Sequence, residues 1–148
     1  MKLIAHRGNT RGPNPAEENS PVYILNAIKE GYEVEIDVWY EDGTWLLGHD
    51  FPQYEVNIEF LRSPWLWCHA KNITTLEELL RNGAHCFWHQ TDDVTLTSLG
   101  YIWTFPGKQL AGSSICVLPE KGNPDATADE LVMICAGICS DYIENYKD

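Results

Sequence analysis

Glu33-Val34-Glu35-Ile36-Asp37-Val38 alternates acidic and apolar residues, and its reading decides the fold. In a strand, side chains two positions apart share a face, so Glu35 and Asp37 point together while Val34, Ile36 and Val38 point the other way. Taken alone, a Glu-x-Asp of this kind reads as an ordinary strand with a solvated acidic face. Two adjacent carboxylates nevertheless repel unless a cation or a proton lies between them, so the pair invites a hard divalent ion. His49-Asp50, which follows soon after a turn at Asp42-Gly43, favours that second reading.

Towards the N-terminus, Lys2-Leu3-Ile4-Ala5 is a short apolar run suited to a buried strand, and it ends on His6-Arg7-Gly8. Asn9 to Pro15 is rich in Gly, Pro and Asn and reads as a loop. Ser20 as N-cap and Pro21 at the first helical position open a helix with Val22, Ile24, Leu25 and Ile28 as its buried stripe, and Gly31 ends it. Strand, helix and strand make a βαβ unit with a right-handed crossover.

Towards the C-terminus, Pro64 to Lys71 reads as another buried strand with His69 and Lys71 on one face. Thr75 and Glu78 have the spacing of a capping box, and Asn82-Gly83 closes the helix they begin. Four short apolar runs follow, at Cys86–His89, Tyr101–Phe105, Ile115–Leu118 and Ala136–Cys139, with Thr127 and Glu130 as a further cap signal. The total is about eight strands, the early ones joined by helices, which points to a (β/α)8 barrel with its site at the C-terminal ends of the strands. Such barrels usually take about 250 residues, so this one is expected to be a reduced TIM barrel with several outer helices shortened or missing. Loops, aromatics or a partner subunit in a homo-oligomer would then cover its apolar surface.

At 148 residues and 44% hydrophobic content, the chain suits a single domain over residues 1–148. A net charge of −12 argues against nucleic acid or an anionic membrane surface as the main partner, since both would be repelled. The five cysteines show no Cys-x-x-Cys spacing, and the start has no long apolar run. These features predict a cytoplasmic protein with reduced, mostly buried thiols and no stable membrane insertion.

Taken together, His6-Arg7-Gly8, Glu18-Asn19-Ser20, Gly31 before Glu35-Ile36-Asp37-Val38, Asp42-Gly43 and His49-Asp50 resemble the signature of the glycerophosphodiester phosphodiesterase family. Ala70-Lys71, Thr104-Phe105-Pro106-Gly107 and Ser140-Asp141 match its later strands more loosely. The resemblance implies a TIM barrel and metal-assisted cleavage of a small-molecule phosphodiester. It assigns His6 and His49 as the acid/base pair, Arg7 and Lys71 as phosphate-binding cations, and Glu35 and Asp37 as ligands of Mg²⁺ or Ca²⁺. Glu18 and Asn19 would support the site.

One residue departs from the family pattern. Its members usually carry a third metal-binding carboxylate two residues before the lysine, and here that position is His69. Imidazole suits softer ions, which brings Mn²⁺ or Zn²⁺ into consideration. Two other activities stay open at this level: a phospholipase C- or D-like lyase that forms a cyclic phosphate, and a non-catalytic phosphate-binding barrel. His85 and His89 read as ordinary surface or core histidines, Trp103 as a core aromatic, and Asp141 equally well as a cap or turn residue.

Overall fold

The computed structural model describes residues 1–147. Its centre is β2 (Glu33–Glu41), which is bonded on one side to β5 (Leu66–Ala70) in parallel. On its other side β2 changes partner along its length. The first part pairs in parallel with β1 (Lys2–His6), and the last part pairs antiparallel with β3 (Thr44–Leu47) across the Asp42-Gly43 turn. As a result β3 returns towards the end of β1. Arg7 N–H donates to the Glu35 carbonyl and Gly48 N–H to the Asp37 carbonyl, so the residues after β1 and after β3 dock side by side.

β4 (Tyr54–Val56) extends the hairpin, and β6 (Cys86–Phe87) pairs with β5. Beyond β1 the sheet continues through β10 (Gly137–Ser140), β9 (Ser114–Val117) and β8 (Ile102–Thr104), all parallel, to an antiparallel β7 (Val94–Leu96). The expected (β/α)8 barrel is therefore corrected: the chain forms a mixed ten-stranded sheet curled into a half-barrel. Strand–helix alternation lapses from β6 to β9, and helices return only before β10. Residues 88–101 hold the short strand β7 and no crossover helix, and residues 105–113, with Pro106, Gly107 and Gly112, contain no helix either. The margins at β6 and β7 are joined by single bonds rather than a ladder, with Ser98 N–H donating to the Cys86 carbonyl and Cys86 N–H to Ser98 Oγ, each at 2.9 Å.

Five α-helices accompany the sheet: α1 (Pro21–Lys29), α2 (Ile58–Leu61), α3 (Ile73–Arg81), α4 (Pro119–Gly122) and α5 (Ala128–Ile134). Ser20 caps α1 as its sequence predicts, but the buried residues are Ile24 and Ala27, while Val22 and Leu25 face solvent. Asn72 caps α3. Thr75 lies inside that helix, buried, and its hydroxyl accepts from Tyr40 N–H at 2.8 Å instead of forming the expected box with Glu78. The Thr127–Glu130 capping box of α5 is formed.

Two apolar clusters follow from strand alternation. Val34, Ile36 and Val38 pack with Ile24, Leu66, Cys68 and Leu79 on the helix side. Ile4, Trp67, Phe87, Trp103, Ile115 and Val117 fill the opposite face, the one that carries Glu35 and Asp37. All five cysteines are free and buried. Among the described residues, no helix is long and apolar enough to cross a membrane.

The loop after β8 meets α4 at a glycine pair. A Cβ on Gly122 would lie 2.0 Å from Gly107 N, so there is no room for a side chain at Gly122. Gly122→Ala is expected to lower stability by about 1–3 kcal/mol, the usual cost of overpacking. Urea unfolding of wild type and variant checks this, and equal midpoints would contradict it.

Candidate metal and phosphate site

His6 ends β1, and the chain then turns sharply through Arg7 (φ 55°) and Gly8 (φ 90°). A non-glycine residue in the left-handed region is uncommon and marks a constrained position. Asn19, also left-handed (φ 64°), donates its N–H to the Arg7 carbonyl at 3.1 Å and grips Asp37 with its side chain. Asn19 Nδ2 donates to Asp37 Oδ2, and Asn19 Oδ1 accepts from Asp37 N–H, each at 2.9 Å.

Glu35 and Asp37 are buried, at 2% and 1% exposure, so the acidic face of β2 is not solvated. Their partners converge from the ends of β1 and β5. Arg7 Nε lies 3.3 Å from Asp37 Oδ2, Lys71 Nζ 3.6 Å from Asp37 Oδ1, and His69 Nδ1 3.5 Å and 3.6 Å from Glu35 Oε1 and Asp37 Oδ1. The other ring nitrogen of His69, Nε2, is 2.9 Å from the His89 carbonyl. A carbonyl only accepts, so Nε2 carries a proton and donates to it, while Nδ1 faces the two carboxylates. Burial alone would raise the Glu35 pKa, but the hydrogen bond from His69 and the charges of His6, His69 and Arg7 bring it down to about 2.

Two buried atoms here lack a hydrogen-bond partner, Glu35 Oε2 and Arg7 Nε. One is an acceptor and the other a donor. Glu35, Asp37 and His69 each offer one ligand atom, all within 4.8 Å of one another, and this buried group could hold a metal ion. The donor set of two carboxylates and one imidazole fits a divalent cation, and the unsatisfied Glu35 oxygen is consistent with one. Charge agrees: the carboxylates of Glu18, Glu35, Asp37 and Asp141 outnumber Arg7 and Lys71, the permanent cations in ion-pair contact with them.

His6 reaches the cluster from the opposite side, with Nε2 at 3.8 Å from Glu35 Oε2 and Nδ1 at 2.7 Å from Asp141 Oδ1. Asn9, fully buried, donates from Nδ2 to both Asp141 Oδ1 (2.8 Å) and Glu18 Oε1 (2.9 Å), while Glu18 accepts from Arg7 Nη1 at 3.3 Å. Burial opposes a charged His6, yet the Asp141 hydrogen bond and the Glu35 charge raise its pKa above the ordinary 6.5. Burial likewise opposes a charged Asp141, and the bonds from His6 and Asn9 hold its pKa below the ordinary value.

His49 lies in the bend after β3, exposed, with Nδ1 at 2.8 Å from Asp50 Oδ1. It joins His6, Arg7, Glu35, Asp37 and His69 around a cavity of about 290 Å³. Lys71, Glu18 and Asn19 stand behind that lining and contact it through Asp37 and Arg7. Sequence reasoning left Asp141, Asn9 and His89 out of the site. Asp141 follows β10 as Arg7 follows β1, which is the one local signal that could have found it. No family model, curated protein or solved structure matches the chain.

Asp141→Asn keeps an acceptor for His6 but removes the charge that offsets burial. The His6 pKa should then fall, because desolvation is left with less opposition. An NMR titration of the His6 ring reads the change, and an unmoved midpoint would show that Asp141 is not the cause.

Proposed function

We propose that this protein is a metal-assisted phosphodiester hydrolase. The observation that carries the reading is the pair of unsatisfied buried atoms on residues lining one cavity, the Arg7 Nε donor and the Glu35 Oε2 acceptor. A phosphate oxygen satisfies the first and a divalent cation the second. One ligand pair therefore removes both desolvation penalties.

Hydrolysis of a diester needs a proton taken from water, a proton given to the departing alkoxide, and neutralisation of the non-bridging oxygens. His6 and His49 suit the two proton transfers, each oriented by a carboxylate, Asp141 and Asp50. Arg7 supplies the planar donor fork for the phosphate, and Lys71 adds positive charge through its contact with Asp37. Asn19 and Glu18 hold Asp37 and Arg7 in place. A bound divalent ion would supply Lewis acidity at a phosphate oxygen. Glu35, Asp37 and His69 would hold it. The resemblance to glycerophosphodiester phosphodiesterases makes small glycerophosphodiesters and related lipid headgroup diesters the substrates of choice.

His6→Ala and His49→Ala should each lower kcat for glycerophosphocholine by about 10²-fold or more, the usual scale for a positioned proton-transfer group. Chelation should abolish turnover. Wild-type rates in either variant, or full activity after verified metal removal, would contradict the assignment.

His69 predicts the metal. With a nitrogen donor in the set, Mn²⁺ or Zn²⁺ should bind more tightly than Mg²⁺ or Ca²⁺, and His69→Glu should shift the preference towards the hard ions. Calorimetric titration of both proteins with each ion checks this. Unchanged selectivity would put His69 outside the coordination sphere.

A further inference from the structure

We infer that the substrate is an unsymmetrical diester, with an apolar alcohol seated on the β8–β9 side of the cavity and a hydroxylated alcohol on the other side of Arg7. The inference rests on the phosphate reading of the site and adds which two alcohols the phosphate joins.

The cavity walls divide by strand. Both carboxylates, Arg7 and two of the histidines come from or directly follow β1, β2 and β5, whereas Trp103 and Val117 come from β8 and β9, and Phe105, Pro106 and Leu118 from the loops after them; Lys121 of α4, His49, His89 and Gln90 complete the lining. This apolar wall is preformed. Trp103 is 4% exposed and stacks on Phe87 with ring centroids 4.4 Å apart, so it cannot swing out. Phe105 meets the edge of the His89 ring at 6.0 Å, and the tight Gly107–Gly122 contact ties the two rim loops together. A polyol or charged group placed against Trp103, Phe105 and Val117 would leave its polar atoms unpaired, while an alkyl or aryl group would gain burial there.

Arg7 and His49 also line a second cavity of about 220 Å³. Its other walls include Glu18, Asn19, Asp50 and Gln53, which offer acceptors and donors to hydroxyl groups. The two cavities thus share the phosphate-binding arginine and one of the proton-transfer histidines. A phosphate held at Arg7 has one ester arm in each. The asymmetry of the walls then sets which alcohol lies on which side.

The test compares the methyl and n-hexyl esters of glycerol phosphate as substrates in the presence of Mn²⁺. It also measures, by calorimetry, the binding of methyl phosphate and n-hexyl phosphate, a readout that does not depend on turnover. Wild type should prefer the hexyl member by about 10-fold or more in both kcat/KM and affinity, a modest ratio for an apolar pocket that discriminates by several methylenes. In Phe105→Ala both ratios should fall towards one. Turnover of both diesters at equal efficiency would overturn the inference and leave the hydrolase reading intact. Absence of turnover with a retained hexyl preference in binding would do the reverse. Equal affinity for the two monoesters, or no detectable binding of the hexyl one, would overturn the inference directly.

Discussion

Burying an ionised carboxylate costs several kcal/mol unless charge and hydrogen bonds compensate it, and β2 buries two on one face. Much of the surrounding structure can be read as that compensation. Arg7 and Lys71 bring positive charge to Asp37, and Asn19 holds its side chain and its backbone together. His69 stands between the two carboxylates, held in place by its Nε2–H bond to the His89 carbonyl. The left-handed turns at Arg7 and Asn19 are strained positions that the mutual bond between them maintains. The compensation is incomplete at one oxygen, Glu35 Oε2, and that is where a ligand has most to offer.

The curl of the sheet turns this local problem into a site. Because β2 exchanges β1 for β3 along one edge, the turns after both strands arrive beside the carboxylates, carrying His6, Arg7 and His49. On the far side of the same cavity the strands bear aromatic and aliphatic residues instead. A polar half and an apolar half of one cavity follow from which strands meet there. The network from His6 through Asp141 and Asn9 to Glu18 and Arg7 links the first and last strands to the loop before α1, so His6 and Arg7 share one set of hydrogen bonds.

The shared face of Glu35 and Asp37 was readable because strand alternation has a period of two and needs no partner. Residues 2–6 and 66–70 were recognisable as strands for the same reason, and Ser20-Pro21 as a helix start because capping is local. What failed was non-local. Strand β7 is three residues long, too short for its Val94-Thr95-Leu96 alternation to mark a strand, and nothing in residues 88–101 announces that it lies antiparallel at the margin of the sheet, so the sequence pattern pointed to an alternating barrel that does not form. Asp141 reaches His6 only because β10 pairs with β1, a contact between opposite ends of the chain. Asn72 and Thr75 both suit an N-cap, and the choice was made by Tyr40, whose N–H needed the Thr75 hydroxyl. His89 enters the site through its carbonyl, which no side-chain pattern can reveal.

The central claim is that Glu35, Asp37 and His69 form one cation site. Anomalous diffraction from crystals grown with Mn²⁺ tests it most directly, since the signal locates the ion without reference to activity. The account predicts a single strong peak within coordination distance of Glu35 Oε2, an Asp37 carboxylate oxygen and His69 Nδ1. A peak elsewhere on the acidic surface, with these three side chains unliganded at saturating Mn²⁺, would contradict it.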